Sequence, residues 1–435
     1  MSGKPRVAIA DDAIELLVGF GREQGWHDAL LVMDSNTEAA AGARTAAELA
    51  AAAIDPHVLR FAQRSGLKAD DEAVAAVRAR LADDPSDALI AVGSGVITDI
   101  ARYAAHLDDR DFVSVPTAAS MDGYASGVAA LERDGVKVTY PARPPRAIFA
   151  SLPVLAAAPI DMTRAGIGDL LGKATAGVDW LAAHLLYGEP YDPDAAARVG
   201  GAMSDAAGHV GEILGGEPAA VRGLLSGLIE SGIAMAIVGS SRPASGSEHH
   251  VSHFLDLQAA RGRHRPAPHG LQVGYATHLA MRLQRFAFGG GVARLATPNA
   301  ADPLDARARA WLGEPGPDVL AAIAEKRRFV ADRAGRWPRD DRAWAEVRGP
   351  LGRAMAVFPA VERALDAAGI PAAPGFLGID DDLLRGALRY ANRLRARYTV
   401  VDFLDGQGAL DEAIEAALDP QMWPPLTTDR GRGGG

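Results

Sequence analysis

Six of the chain's eleven histidines fall between His249 and His278. Four lie in Ser245-Gly246-Ser247-Glu248-His249-His250-Val251-Ser252-His253 and Ala267-Pro268-His269-Gly270. His249 and His253 are four apart, so a helix presents both imidazoles on one face. His269 follows after a stretch long enough for a helix and a returning loop. A carboxylate is available in Gly166-Ile167-Gly168-Asp169-Leu170-Leu171-Gly172-Lys173. Two neutral imidazoles and a carboxylate suit a borderline divalent cation, and Asp169, His249 and His269 as three ligands leave positions open for a substrate oxygen. A structural zinc site is normally closed by four ligands, often Cys, and this chain has no cysteine. Any one of these residues alone reads as a helix cap or a satisfied core group. Three together in Gly- and Ser-rich surroundings favour a metal. His250 points about 100° away from His249 on a helix, and His264 and His278 read as surface and helix residues. His253, one turn from His249, could give or take a proton. Lys173, one turn past Asp169, either aims an ammonium at an anionic substrate or pairs with that carboxylate.

A second set of polar residues precedes these. Gly93-Ser94-Gly95 joins the apolar run 88–92 to an amphipathic stretch 96–106, so backbone amides and a helix N terminus are offered to an anion such as a dinucleotide pyrophosphate. The same turn is common without a ligand; the six-residue dinucleotide fingerprint and a Walker A loop are both absent. Asp34 follows the run 29–33, where it could accept ribose hydroxyls or simply cap the next helix. The loop Val115-Pro116-Thr117-Ala118-Ala119-Ser120-Met121-Asp122-Gly123 offers hydroxyls and a carboxylate to a polyol or nucleotide.

These residues need elements to carry them. Strands are predicted at 29–33, 88–92 and 111–115, alternating with helices at 39–51 and 96–106, the pattern of βαβ units whose ligands bind at the carboxyl edge. Beyond Pro153 the chain reads as helices at 162–184, 196–213, 221–238, 317–335, 380–397 and 410–418. The predicted fold class is an α/β Rossmann-like domain over 1–155 followed by an all-α domain over 156–425. Segment 331–375 reads as a peripheral insertion and 426–435 as a disordered tail. At 435 residues the chain exceeds the size of one core. Its 48% hydrophobic and 23% charged residues are an ordinary globular balance. A net charge of −10 argues against a nucleic-acid partner. The absence of cysteine excludes disulfides and thiol catalysis and fits a cytoplasmic setting. No signal peptide and no membrane span are expected.

The blocks GSGVITDIARYAA, VPTAASMDGYAS, AGIGDLLGKATAGVDW, SRPASGSEHHVSH and APHGLQVG, in that order, resemble the glycerol-1-phosphate dehydrogenases of the iron-containing alcohol dehydrogenase and dehydroquinate synthase superfamily. Leu377-Gly378-Ile379-Asp380 and Arg395-Ala396-Arg397-Tyr398-Thr399-Val400-Val401-Asp402 resemble the C-terminal pattern of its bacterial, arabinose-operon-associated branch. The likeness implies a cleft between the two domains that holds NAD or NADP and one divalent metal: zinc, nickel or iron. It implies Asp169, His249 and His269 as metal ligands. Gly93, Ser94, Gly95 and Asp99 match the phosphate turn, and Thr117 and Ser120 the nicotinamide-side loop. Asp122 matches an Asp near the substrate hydroxyls, and Lys173 and His253 match positions facing the substrate. Lys173, helped by an arginine, would hold the phosphate, and His253 or a water would move the proton. Asp34, if at the ribose, favours NAD over NADP. The implied reaction interconverts dihydroxyacetone phosphate and sn-glycerol 1-phosphate in a homodimer or higher homo-oligomer. Alternatives are another phosphorylated or phosphonylated hydroxy-ketone, a dehydroquinate synthase-like cyclase or lyase, and a silent nucleotide-binding homologue. Arg102, where relatives usually carry Lys, and Ser151, where Asp is common, depart from the pattern.

Overall fold

Six strands form a parallel sheet: β1 (Arg6–Ala10), β2 (Asp28–Asp34), β3 (Asp55–Phe61), β4 (Ala88–Gly93), β5 (Phe112–Pro116) and β8 (Ala147–Ser151). An antiparallel hairpin of β6 (Val128–Arg133) and β7 (Val136–Pro141) lies outside it. The computed structural model describes residues 4–62, 66–83, 85–133, 136–292, 295–296, 304–373, 375–419 and 421, so the predicted tail 426–435 lies outside them. Sheet order is β1-β8-β5-β4-β2-β3. Strands β4, β5 and β8 are buried along their whole length. Parallel strands covered on both faces read as continuous apolar runs, which is why the predicted 88–92 and 111–115 match β4 and β5. Edge strands β1 and β3 carry Arg, Asp and His and keep exposed positions, so no such run marks them. One sheet face packs Leu31, Ile90 and Phe149 on Leu17 and Phe20; the other packs Leu30, Val32 and Leu89 on Val77 and Ile100.

From β2 the chain moves outward to β3, then returns to β4 on the other side of β2. The loops after β2 and β4 therefore diverge at the carboxyl edge, the usual place for a ligand crevice.

From Leu152 onward the described chain is helical. The single helix predicted over 162–184 is two, Ile160–Leu171 and Lys173–Tyr187, separated at Gly172. The helix predicted to Arg397 ends at Tyr390, and after a tight turn at Ala391–Leu394 residues 395–399 are irregular. Segment 331–375 is no peripheral insertion. Its helices Asp341–Ala354 and Phe358–Ala367 place Trp344, Leu351, Phe358 and Leu365 in the main helical core. Helix Pro218–Val238 is long and apolar enough by length and composition to cross a membrane, but 61% of its apolar window is buried in the fold.

Glycines let the elements around the cleft approach closely. A Cβ on Gly270 would sit 1.9 Å from the Ala165 carbonyl oxygen, and one on Gly168 would sit 2.2 Å from that of Gly270. Helix His269–Gly289 thereby meets helix Ile160–Leu171 backbone to backbone, with His269 and Asp169 beside the contact.

Candidate active site

A cavity of about 640 Å³ opens between the sheet's carboxyl edge and the helices. On the sheet side it is lined by Ser94, Gly95, Asp99, Ser120 and Asp122; on the helical side by Asp169, His249, His253 and His269, with Arg395 and Arg397 beside them. Lys137 of β7 closes one wall.

Asp169, His249 and His269 each offer one ligand atom, and these atoms lie within 4.8 Å of one another. The donor set fits a divalent cation in its surroundings as well as its types. His249 Nδ1 meets Glu248 Oε1 at 2.8 Å. Glu248 is fully buried and also accepts from the Gly246 N–H and the Thr175 hydroxyl. The carboxylate thus accepts the hydrogen bond from Nδ1–H and turns His249 Nε2 towards Asp169 Oδ1, 3.4 Å away. His269 is oriented by a longer chain. Gln272 Nε2 donates to Asp256 Oδ1 and the Ala267 carbonyl, so its Oε1 is left to accept the Ser252 hydroxyl proton at 3.2 Å. Ser252 Oγ then accepts from His269 Nδ1 at 2.9 Å, which leaves the Nε2 lone pair of His269 for the cleft.

Asp169 is nine-tenths or more buried. Burial alone would raise its carboxyl, but Lys173 and the hydrogen bond to His249 hold it well below the usual carboxylate range. Burial pushes the His269 imidazole well below its ordinary value, with Lys137 adding to the effect, so it stays neutral as a ligand must.

Lys173 does not face a substrate. Its side chain has no exposed area, and Nζ lies 2.7 Å from both Asp122 Oδ2 and Asp169 Oδ1. Burial would lower its pKa; the two carboxylates outweigh that and raise it. Lys173 is a counter-ion locked between carboxylates, and the phosphate role implied for it does not fit. Asp122 is held by Lys173 and by the Ser231 hydroxyl at 3.1 Å, while its backbone N–H donates to Asp169 Oδ2 at 2.9 Å. Its carboxyl is raised by burial and by Asp169.

His253 Nδ1 touches Arg395 Nη2. A guanidinium can only donate, so His253 Nδ1 accepts and its proton sits on Nε2. Burial, then Arg395, push its pKa well down. The three rings of His249, His253 and His269 form a triangle with centroids 5.3–6.4 Å apart.

On the opposite wall, helix Gly95–Leu107 begins at Ser94, whose hydroxyl makes no cap, and its first turn faces the cavity. Gly93 ends β4, and its carbonyl accepts from the Thr117 N–H at 3.3 Å. Neither Gly93 nor Thr117 lines the cavity; they join the loops that do. Asp34 lies outside the lining as well, and Oδ1 caps Asn36 and Thr37 at 2.8 Å, the plainer of its two readings. Asp99 faces the cavity but pairs with Arg102 at 2.9 Å; burial lifts its carboxyl to about 6 against that pull. Arg102 also reaches the carbonyls of Gly123, Tyr124 and Val128, so this departure from the pattern ties helix Gly95–Leu107 to the Asp122 loop. Ser151 is buried at the end of β8, away from the lining.

Sequence reasoning missed Glu248, Ser252, Gln272 and the two arginines. Glu248 sits in a helix's first turn, where an acid needs no further explanation. Arg395 and Arg397 were hidden by the helix predicted across them.

A family profile for iron-containing alcohol dehydrogenases matches residues 8–159. The chain is 42% identical over 193 residues to the glycerol-1-phosphate dehydrogenase [NAD(P)+] of Pyrococcus furiosus, covering 43% of this chain and 53% of that one. Among solved structures it resembles an iron-containing alcohol dehydrogenase from Thermococcus thioreducens (TM-score 0.63, 13% identity, 95% and 98% of the two chains). It also resembles glycerol dehydrogenase from Schizosaccharomyces pombe (TM-score 0.58, 17% identity, 97% and 93%). Similarity to the glycerol-1-phosphate dehydrogenase [NAD(P)+] of Bacillus velezensis is nearly end to end, 32% identity over 406 residues, 93% of this chain and 92% of that one. With that extent of similarity, the chain belongs to the glycerol-1-phosphate dehydrogenase family within the iron-containing alcohol dehydrogenases.

Proposed function

We propose that the chain is a metal-dependent, NAD(P)-linked oxidoreductase that interconverts sn-glycerol 1-phosphate and dihydroxyacetone phosphate. The observation that carries this reading is the convergence of Asp169, His249 and His269 on one wall of a cleft whose other wall is the helix N terminus at Ser94-Gly95. The names of the relatives supply the substrate; oxidising the secondary alcohol of that phosphate ester gives the ketone. A divalent ion held by Asp169, His249 and His269 would act as a Lewis acid on the C2 oxygen. Ser94, Gly95 and Ser120 would hold a nicotinamide cofactor, which would supply the hydride chemistry.

The chain's own residues do the rest. Glu248 and Ser252 fix the tautomers of His249 and His269, so the ligand lone pairs need no rearrangement. Lys173 pairs with both Asp122 and Asp169 without entering the cleft. His253 offers its Nε2–H as a hydrogen bond to a substrate oxygen or to a water. It is not the proton source. Giving up that proton would require Nδ1 to take another, and Arg395 occupies Nδ1. The proton on the C2 oxygen therefore exchanges with water in the cleft.

The test is the handedness of the product. Metal-loaded protein with NADH or NADPH and dihydroxyacetone phosphate should give a glycerol phosphate inert to an oxidase specific for the sn-3 ester. A product consumed by that oxidase overturns the reading.

A further inference from the structure

Most cations near the cleft are already matched. Lys173 lies between Asp122 and Asp169, Arg102 on Asp99, Lys68 on Glu132, and Arg242 on Glu189. Lys137 and two guanidiniums are not. Among the described residues Arg395 and Arg397 make no ion pair, although both line the cavity. Arg395 Nη2 donates to the Lys137 carbonyl at 2.7 Å and to His253 Nδ1. Arg397 Nη1 donates to Ser245 Oγ at 2.6 Å and Nη2 to Ser241 Oγ. Burial lowers the Arg395 pKa to about 10 and that of Arg397 to about 9, the second also through its neighbours Arg395 and Arg242. Arginine does not give up its proton in proteins, so both side chains bring positive charge to the cavity wall while bonding only to neutral groups there. Two cations and two hydroxyls converging on a half-buried wall are what a phosphoryl dianion requires.

Their position bears on the chemistry. Arg395 lies directly behind His253, whose ring centroid is 5.7 Å from that of His269 and 6.4 Å from that of His249. A three-carbon ester with its C2 oxygen at the ligand triad therefore extends past one imidazole to reach the guanidiniums.

We propose that Arg395 and Arg397, with Ser241 and Ser245, form the subsite for the substrate's phosphoryl group, and that Arg395 couples its occupancy to His253. The assignment rests on the dehydrogenase reading for the identity of the ester and takes over the role implied for Lys173. Phosphate drawn onto Arg395 holds the guanidinium against Nδ1, which keeps His253 as an Nε2–H donor beside the reacting carbon. Binding energy from a group remote from the chemistry is thereby used at the reacting centre.

Two measurements on metal-loaded protein test this. In the first, dihydroxyacetone serves as a truncated substrate and inorganic phosphite is added. The wild type should be activated by phosphite. Arg397→Ala should lose that activation and show a preference for the phosphate ester, as a ratio of kcat/KM values, reduced about 10- to 100-fold, with Arg397→Lys recovering part of it. Arg395→Ala should lower kcat as well as raise KM, which simple loss of packing would not reproduce selectively for the phosphorylated substrate. Unchanged preference and activation in both alanine variants would overturn the subsite. The second needs no variant and no turnover: inorganic phosphate should shield Arg395 and Arg397 of the wild type from phenylglyoxal, read by peptide mass spectrometry. Absence of protection overturns the subsite even in an active enzyme. Protection in a protein inert towards dihydroxyacetone phosphate supports the subsite and overturns the dehydrogenase reading.

Discussion

Each imidazole of the ligand triad is set by a partner on its far side, and those partners carry the first predictions. Gln272→Leu removes the acceptor that turns Ser252 towards His269, so metal affinity should fall about 10- to 100-fold, read by competition with a chromogenic chelator. Unchanged affinity would show that His269 holds its orientation without the Gln272 chain. Lys173→Met leaves Asp122 and Asp169 facing each other without their cation. Removing one partner of a buried ion pair costs about 3–5 kcal/mol, so the apoprotein's denaturation midpoint should drop sharply. A normal midpoint with only a raised KM for the phosphate ester would restore Lys173 as an anion binder. The candidate ligands were legible in the sequence because Asp169, His249 and His269 stand in polar Gly/Ser segments, where a core histidine has little reason to be. The orientation chain was not. Gln272 lies on an apolar helix face, where its amide reads as a satisfied polar residue until Asp256 and Ala267 are seen to fix which end donates.

At the scale of elements, the cleft depends on how closely two helices pass. Gly270→Ala would put a methyl group against the Ala165 carbonyl, backbone that cannot swing aside. It should cost about 1–3 kcal/mol and weaken metal binding by separating His269 from Asp169. Gly177→Ala, a helix position with nothing within 4 Å of the new methyl group, should instead gain about 0.5–1 kcal/mol. Equal effects would mean that close approach plays no part. Helix His269–Gly289 is also tied to segment 331–375, through His278 Nε2 and the Ile370 carbonyl at 2.9 Å. Burial lowers the His278 pKa from 6.5 to about 4. Between those values the unfolded chain binds the extra proton and the folded chain does not. The stabilisation is therefore fully present above about pH 6.5 and lost as pH falls towards about 4. His278→Gln should flatten the stability-against-pH curve by about 3 kcal/mol across that window, and an unchanged slope would place the acid sensitivity elsewhere. The same contact shows why 331–375 looked peripheral. Its Arg, Trp and Pro content resembles a surface segment, whereas Trp344 and Phe358 are anchors of the helical core.

The whole molecule is a sheet edge facing a helical body, and neither half holds a complete site. The sheet supplies Ser94, Gly95 and Ser120; the helices supply Asp169, His249 and His269; the β6–β7 hairpin spans them, with the Lys137 carbonyl on Arg395. That division was legible from the change of pattern near Pro153: short β-branched runs before it, long Ala- and Leu-rich helices after it. The irregular stretch after Leu394 was not, because an amphipathic helix pattern runs straight through it, and the turn places Arg395 and Arg397 in the cleft. Ketone reduction is proposed to take place between these halves, at Asp169, His249 and His269. Its most direct test is the rate of NADH and NADPH oxidation with dihydroxyacetone phosphate as chelator-stripped protein is titrated with zinc, nickel or iron. Turnover should rise with metal and saturate near one equivalent per chain. A rate independent of metal, or none with metal and nucleotide both bound, would contradict it.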